Sequence, residues 1–221
     1  MLALAVFALS VQAIGPAGVE WLRETNYDTA AAGASGQDTT EGGNITVLNI
    51  TSANSSTERW AGYLGNISTV NSNIVLANPT LDIFYSWDWD AANDGEICAG
   101  TATTYVWADL AAGAAADVDT VWVFGDVSDD AEATFDDGNA NIDIAGSVIA
   151  APSADTGQAN GFVTMLLTDQ AAPAAEGDFL FCTNTSIGAG TGYDGSTVDY
   201  ELIVPTTYGA TEDYYFFVEL A

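Results

Sequence analysis

From residue 44 onward the sequence is a succession of short runs rich in β-branched and aromatic residues, each closed by Gly, Asn, Asp or Pro. That rhythm constrains the fold more than any other feature of the chain. The runs are NITVLNIT, RWAGYLGNIS, NIVLA, LDIFYSWDW, GEICAG, TYVWAD, TVWVFG, NIDIAGSVIA, GFVTMLLT, DFLFCT, VDYELIVP and DYYFFVEL. Such side chains pack well on a pleated surface and lose rotamer freedom on a helix. Roughly a dozen short strands at this spacing predict an all-β sandwich of Ig-like type over residues 44–221, with DYYFFVEL as a core strand. The turn chemistry agrees. Asn93-Asp94-Gly95, Asp136-Asp137-Gly138 and Tyr193-Asp194-Gly195 each supply residues that tolerate positive φ between two runs.

The first 43 residues follow a different pattern. MLALAVFALSVQAIGPAGV is the one long apolar stretch, and Val19, Leu22 and Tyr27 continue it on one face with Glu20, Arg23, Glu24 and Asp28 between them. The spacing predicts an apolar helix over 1–31, and Gly33, Gly36, Gly42 and Gly43 mark 32–43 as a flexible connection. Leu2, Leu4, Val6, Phe7, Leu9, Val11 and Ile14 spread over most of the helix circumference, so one neighbouring domain cannot cover them. Copies of the same helix can. Gly15, Pro16 and Gly18 interrupt the run short of the roughly 20 residues that a bilayer core requires, and no stable membrane span is expected. A competing reading takes Val11-Gln12-Ala13 as a signal-peptide cleavage pattern that removes residues 1–13. No Lys or Arg precedes the apolar run, however, and a secretory leader normally begins with such charge.

Charge narrows the function classes. The 221-residue chain has 31 acidic residues against Arg23 and Arg59, with no Lys and no His, for a net charge of −29. Such a surface repels nucleic acid and anionic lipid headgroups. Without His or Lys the usual nucleophile and base pairs cannot be built, and no GxSxG, P-loop or dinucleotide fingerprint is present, so no enzyme and no organic cofactor are expected. Glycoside hydrolysis needs only two carboxylates, and Asp88, Asp90, Asp94 and Glu96 lie beside Trp87 and Trp89. Strand-turn acids and half-buried tryptophans explain that group without catalysis.

Three further sets of residues are candidate sites. Asp126, Asp129, Asp130, Asp136 and Asp137, with Glu132, Asn139, Asn141 and Asp143 nearby, offer the hard oxygen ligands Ca²⁺ prefers. They fit no EF-hand, because Ile142 stands where that loop needs Gly, and a solvated acidic loop is the alternative. Cys98 and Cys182 sit in strand-like settings and form one disulfide if the compartment is oxidising, or two buried thiols if it is not. Closing a loop of about 84 residues stabilises by roughly 4–5 kcal/mol in the chain-entropy model. Asn44, Asn49, Asn54, Asn66 and Asn184 each open an Asn-x-Ser/Thr sequon, so N-glycans are expected, whereas Pro79 rules out Asn78.

An apolar helix at the head of a β-rich domain resembles the type IV pilins and their archaeal relatives. This chain lacks the glutamate that bacterial pilins carry near the start of that helix, as the archaeal versions do. Glu58-Arg59-Trp60-Ala61-Gly62-Tyr63, Gly65-Asn66-Ile67-Ser68, Tyr85-Ser86-Trp87, Gly95-Glu96-Ile97 and Tyr214-Tyr215-Phe216-Phe217-Val218-Glu219-Leu220 are similar to phrases in archaeal surface proteins. The resemblance implies an archaeal cell-surface filament subunit whose partner is itself, with helices at the filament core and the β-domain outside. With residues 1–13 removed as a signal, the expectation becomes a secreted sheath, surface-layer or carbohydrate-binding domain.

Overall fold

The computed structural model describes residues 57–67, 74–80, 82–87, 95–125, 127–156, 161–186, 188–208 and 210–219. The expected helix 1–31, the connection 32–43 and the run NITVLNIT lie outside them. The strands are β1 (Trp60–Gly65), β2 (Ile74–Ala77), β3 (Ile83–Trp87), β4 (Glu96–Gly100), β5 (Ala111–Ala112), β6 (Asn139–Ile144), β7 (Ser147–Thr156), β8 (Phe162–Thr168), β9 (Phe179–Asn184), β10 (Gly190–Thr191), β11 (Thr197–Val198), β12 (Tyr200–Pro205) and β13 (Tyr215–Glu219). Two short helices, α1 (Ala115–Val121) and α2 (Ala131–Thr134), fall between β5 and β6. The described part of the chain is mainly β, as expected.

The main sheet runs β13-β4-β9-β8-β7-β6, antiparallel throughout, with β5 pairing the far end of β8. Its central strands are buried on both faces. EICAG of β4 is buried at every position, and FLFCTN of β9 at all but its last. Each face therefore needs its own cover, and the result is sandwich-like with the sheet in the middle. On one face lies the β1–β12 ribbon with α1 and α2. Leu202 and Val204 of β12, with Val118, Trp122, Phe124 and Phe135 from the helical corner, pack on Ile97, Ala99, Phe179, Phe181 and Leu166. The other face is covered by the β6–β7 hairpin and by the 3₁₀ turn at Trp107–Asp109. Ile142 and Ile144 join Met165, Leu167, Leu180 and the two cysteines, and Tyr105 and Trp107 pack edge-on against Phe217.

β7 makes the hairpin possible by serving two partners. Ser147–Pro152 pair with β6 and Ser153–Thr156 pair with β8, so the strand changes neighbours at Pro152. Proline lacks the N–H that a central ladder would use and suits such a transition. The hairpin turn is Ala145-Gly146, both at positive φ (53° and 73°), as a type I′ turn requires. NIDIAGSVIA, expected as one strand, is thus two. Two other expected strands are corrected. TYVWAD is a loop with the 3₁₀ turn, and TVWVFG is the last turn of α1 and its C-terminal cap. In the latter, Val118 and Trp122 are one helical turn apart on the buried side, and burying that stripe outweighs the β-propensity of its neighbours. DYYFFVEL is an edge strand rather than a core one, since β13 ends the sheet and is only half-buried. Among the expected turns, Gly138 (φ 98°) and Gly195 (φ 80°) have positive φ, whereas Asn93 and Asp94 lie outside the described residues.

The outer layer is hydrogen-bonded to the sheet as well as packed on it. β12 pairs with β1 along one edge, and two threonines of the main sheet serve the other. The Ile203 N–H donates to Thr164 Oγ1 at 3.0 Å, and Thr156 Oγ1, which donates to the Phe162 carbonyl at 3.1 Å, lies 3.4 Å from the Glu201 carbonyl. Thr164 is fully buried, and a hydroxyl there is what lets a strand edge face the core. Two expectations follow. Thr164→Val keeps the shape but leaves the Ile203 N–H without an acceptor, and should cost about 1–3 kcal/mol, read as a lower urea midpoint at unchanged slope. Val123, 83% exposed, holds φ 56° at the end of α1, where the Phe124 N–H reaches back to the Asp119 carbonyl. Glycine is the usual residue there, and Val123→Gly should stabilise by about 1 kcal/mol, seen as a rise in Tm.

Candidate functional site

Cys98 and Cys182 are bonded to each other. They face one another across the β4–β9 ladder with Cα atoms 4.0 Å apart, in a row that continues to Phe217 on one side and Met165 on the other. Both are buried under the hairpin. The bridge therefore lies within one sheet, unlike the inter-sheet bridge of immunoglobulin domains.

The acids proposed for Ca²⁺ are dispersed. Asp129 pairs with Arg59 Nη1 at 2.9 Å and accepts from the Thr57 hydroxyl. Asp130 caps α2, accepting from the Ala133 N–H. Asp137 accepts from the Asp155 N–H, while Asp136 is exposed and Asp126 lies outside the described residues. Among the described residues no group of three or more His, Cys, Asp or Glu is placed to hold a metal ion. Of the carboxylates beside the tryptophans, Glu96 is buried at the start of β4, and Asp88, Asp90 and Asp94 lie outside the described residues. So do Leu2, Leu4, Val6, Phe7, Leu9, Val11 and Ile14, and the sequons at Asn44, Asn49 and Asn54. Among the described residues no helix is long and apolar enough to cross a membrane.

The two remaining sequons lie toward one end of the domain. Asn66 follows β1 and Asn184 ends β9, and both are exposed. Asp199, buried at the bend between β11 and β12, joins their segments. Its carboxylate accepts from the Ile67 N–H at 2.7 Å and the Gly188 N–H at 2.7 Å, and its carbonyl from the Ser186 N–H at 2.8 Å. A shallow hollow of about 260 Å³ opens beside Asn184, lined by Ala140, Val163, Thr183, Ser186 and Ala189 among others. Sequence reasoning placed Asp199 inside the run VDYELIVP and missed its role. The available signal was an acid interrupting an apolar run. At the opposite end of β1, Thr57 and Trp60 meet the α1–α2 corner, where Trp60 Nε1 donates to the Asp129 carbonyl. β1 thus runs from this corner toward the end that holds the two sequons.

A separate surface is the β2–β3 hairpin, which pairs with no other strand among the described residues. Leu76, Tyr85, Ile83 (63% exposed) and Phe84 (84% exposed) give it apolar side chains in solvent.

Electrostatics adds a pH signature. Burial raises the carboxyl pKa of Glu201, whose side chain accepts from the Tyr193 N–H, and burial likewise raises those of Glu176 and Asp119. Exposed Asp82 is lowered by its hydrogen bonds to Asn78 and Thr80. A carboxyl with a raised folded pKa binds protons more readily folded than unfolded. Its contribution is complete below the unfolded pKa and is lost as pH rises through the folded one. Tm should therefore rise as pH falls from about 7 toward the ordinary carboxyl range near about 4, at constant ionic strength. Glu201→Gln, which keeps an acceptor for Tyr193, should flatten that slope. Comparison of the chain with known protein families, curated proteins and solved structures finds no match to any of them.

Proposed function

We propose that the chain is a structural subunit of an extracellular, archaeal type IV pilus-like filament, self-assembling through its N-terminal helix with the Ig-like β-domain outside. The observation that carries this reading is the apolar run from Met1 to Val19, whose large side chains surround the helix and need neighbours on every side. Its resemblance to archaeal pilins points the same way. Three structural features support the reading. The disulfide suits an oxidising exterior, where such bonds persist. Asn66 and Asn184 lie at the opposite end of β1 from Thr57 and Trp60, and in a filament of this kind that end would face outward. The apolar β2–β3 hairpin offers a surface for contact between subunits. The alternative, a secreted sheath, surface-layer or sugar-binding domain released by cleavage after Ala13, rests on the Val11-Gln12-Ala13 pattern.

Burying a side chain of the size of Leu, Val or Phe stabilises by about 1.5–3 kcal/mol, and several per subunit repeated along a filament need no covalent link. A charge in that core has no partner. In full-length protein expressed in its source organism, Val6→Asp and Leu9→Asp should abolish filaments in electron micrographs. The Cys98–Cys182 bond and the thermal transition of the β-domain should persist. An added Asp between Gly33 and Gly43 should be tolerated. Normal filaments from Val6→Asp subunits would sink the reading, and a mature protein starting at Ile14 would establish the secreted alternative.

A further inference from the structure

Asn66 and Asn184 are 118 residues apart in sequence (184 − 66), yet their segments share one anchor, Asp199, at one end of the domain. The two side chains differ from that of Asn78, whose oxygen accepts from the Thr80 N–H, the Thr80 hydroxyl and the Asp82 N–H while its Nδ2 donates to Asp82. Asn78 is consumed by its own turn. The Nδ2 of exposed Asn184 makes one contact with protein, donating to the Asn141 carbonyl at 3.3 Å. A glycosylated asparagine keeps one Nδ2–H. Where the retained hydrogen is the one facing Asn141, that contact survives modification and the sugar leaves from the other side of the nitrogen. The hollow beside Asn184, at about 260 Å³, is below the roughly 300–1,000 Å³ of sites that engulf a whole ligand. It has room for a single ring, with Val163 and Ala140 for an apolar sugar face and half-buried Ser186 for a hydroxyl.

We propose that Asn66 and Asn184 both carry N-linked glycan, that the first sugar on Asn184 sits in this hollow, and that the two chains together cap the end of the domain held by Asp199. The donor is a lipid-phosphate-linked sugar. Asparagine Nδ2 forms a bond to the anomeric carbon, the bond from that carbon to the phosphate oxygen breaks with its electron pair leaving on the phosphate, and one Nδ2 proton passes to a base of the transferase. The proposal rests on the extracellular part of the functional reading and not on the filament.

Trypsin has only Arg23 and Arg59 to cut at, so peptides are better made with chymotrypsin or an Asp-specific protease. On protein from its source organism, mass spectrometry should find saccharide on the peptides of Asn66 and Asn184. Ser186→Ala removes the sequon hydroxyl and should abolish the adduct at Asn184 alone. Thr185→Ala leaves a sequon and should retain it, although the Thr185 hydroxyl bond to the Gly95 carbonyl is lost. Bare asparagines on protein recovered outside the cell overturn the proposal and leave the filament reading standing. Bare asparagines on protein found only inside the cell overturn both. Amide exchange at Thr183 to Ser186 should be several-fold slower in the glycosylated protein than in Ser186→Ala. Equal exchange rates would remove the sugar from the hollow.

Discussion

Three adjacent strands, β4, β9 and β8, are buried on both faces, and the remaining layers exist to make that possible. A strand sealed on one side could alternate apolar and polar residues, but these read EICAG, FLFCTN and FVTMLLT, nearly apolar throughout. The β1–β12 ribbon and the helical corner cover one face, and the folded-back β6–β7 hairpin covers the other. The disulfide lies inside this arrangement, crosslinking two of the three strands beneath Ile142 and Ile144. Close approach is enforced elsewhere too. A side chain at Gly100 would collide with the hydroxyl of buried Tyr105, which donates to the Phe179 carbonyl and closes the sheet edge near the 3₁₀ turn.

A chain with 31 acids and no lysine must satisfy its carboxylates by other means, and it uses backbone N–H groups. Asp119 accepts from Ala131 and Glu132, Asp178 from Ala174 and Ala175, Asp199 from Ile67 and Gly188, and Glu219 from Ala145 at the hairpin tip. Each bond holds a loop that no strand pairing reaches. Charge-assisted bonds of this type are among the stronger ones available to a protein. The acidity thus has a structural as well as a surface role. Arg59 is the sole cation among the described residues, and it is engaged by Asp129 and lies over the rings of Phe124 and Tyr208.

These two constraints give the domain its polarity. One end gathers Thr57, Arg59, Trp60 and the helices, and the other gathers Asn66, Asn184 and Asp199.

Local chemistry alone determined the strand character of most of the chain, the turns at Gly138 and Gly195, and the candidacy of Cys98 and Cys182. Strand propensity, positive φ and thiol context are properties of a residue and its near neighbours. Tertiary structure decided the rest. Thr120 to Phe124 read as strand, yet they end a helix because Val118 and Trp122 have a sheet face to bury against. Ala145-Gly146 carries no Asn-Gly or Asp-Gly signal, and the turn forms because the hairpin has a core to cover. The joining of the Ile67 and Ser186 segments at Asp199, and the service of Thr164 to β12, depend on strands distant in sequence lying side by side. No window of neighbouring residues contains that information, because burial is a relation between surfaces and the partner surface is set only when the whole sheet has formed.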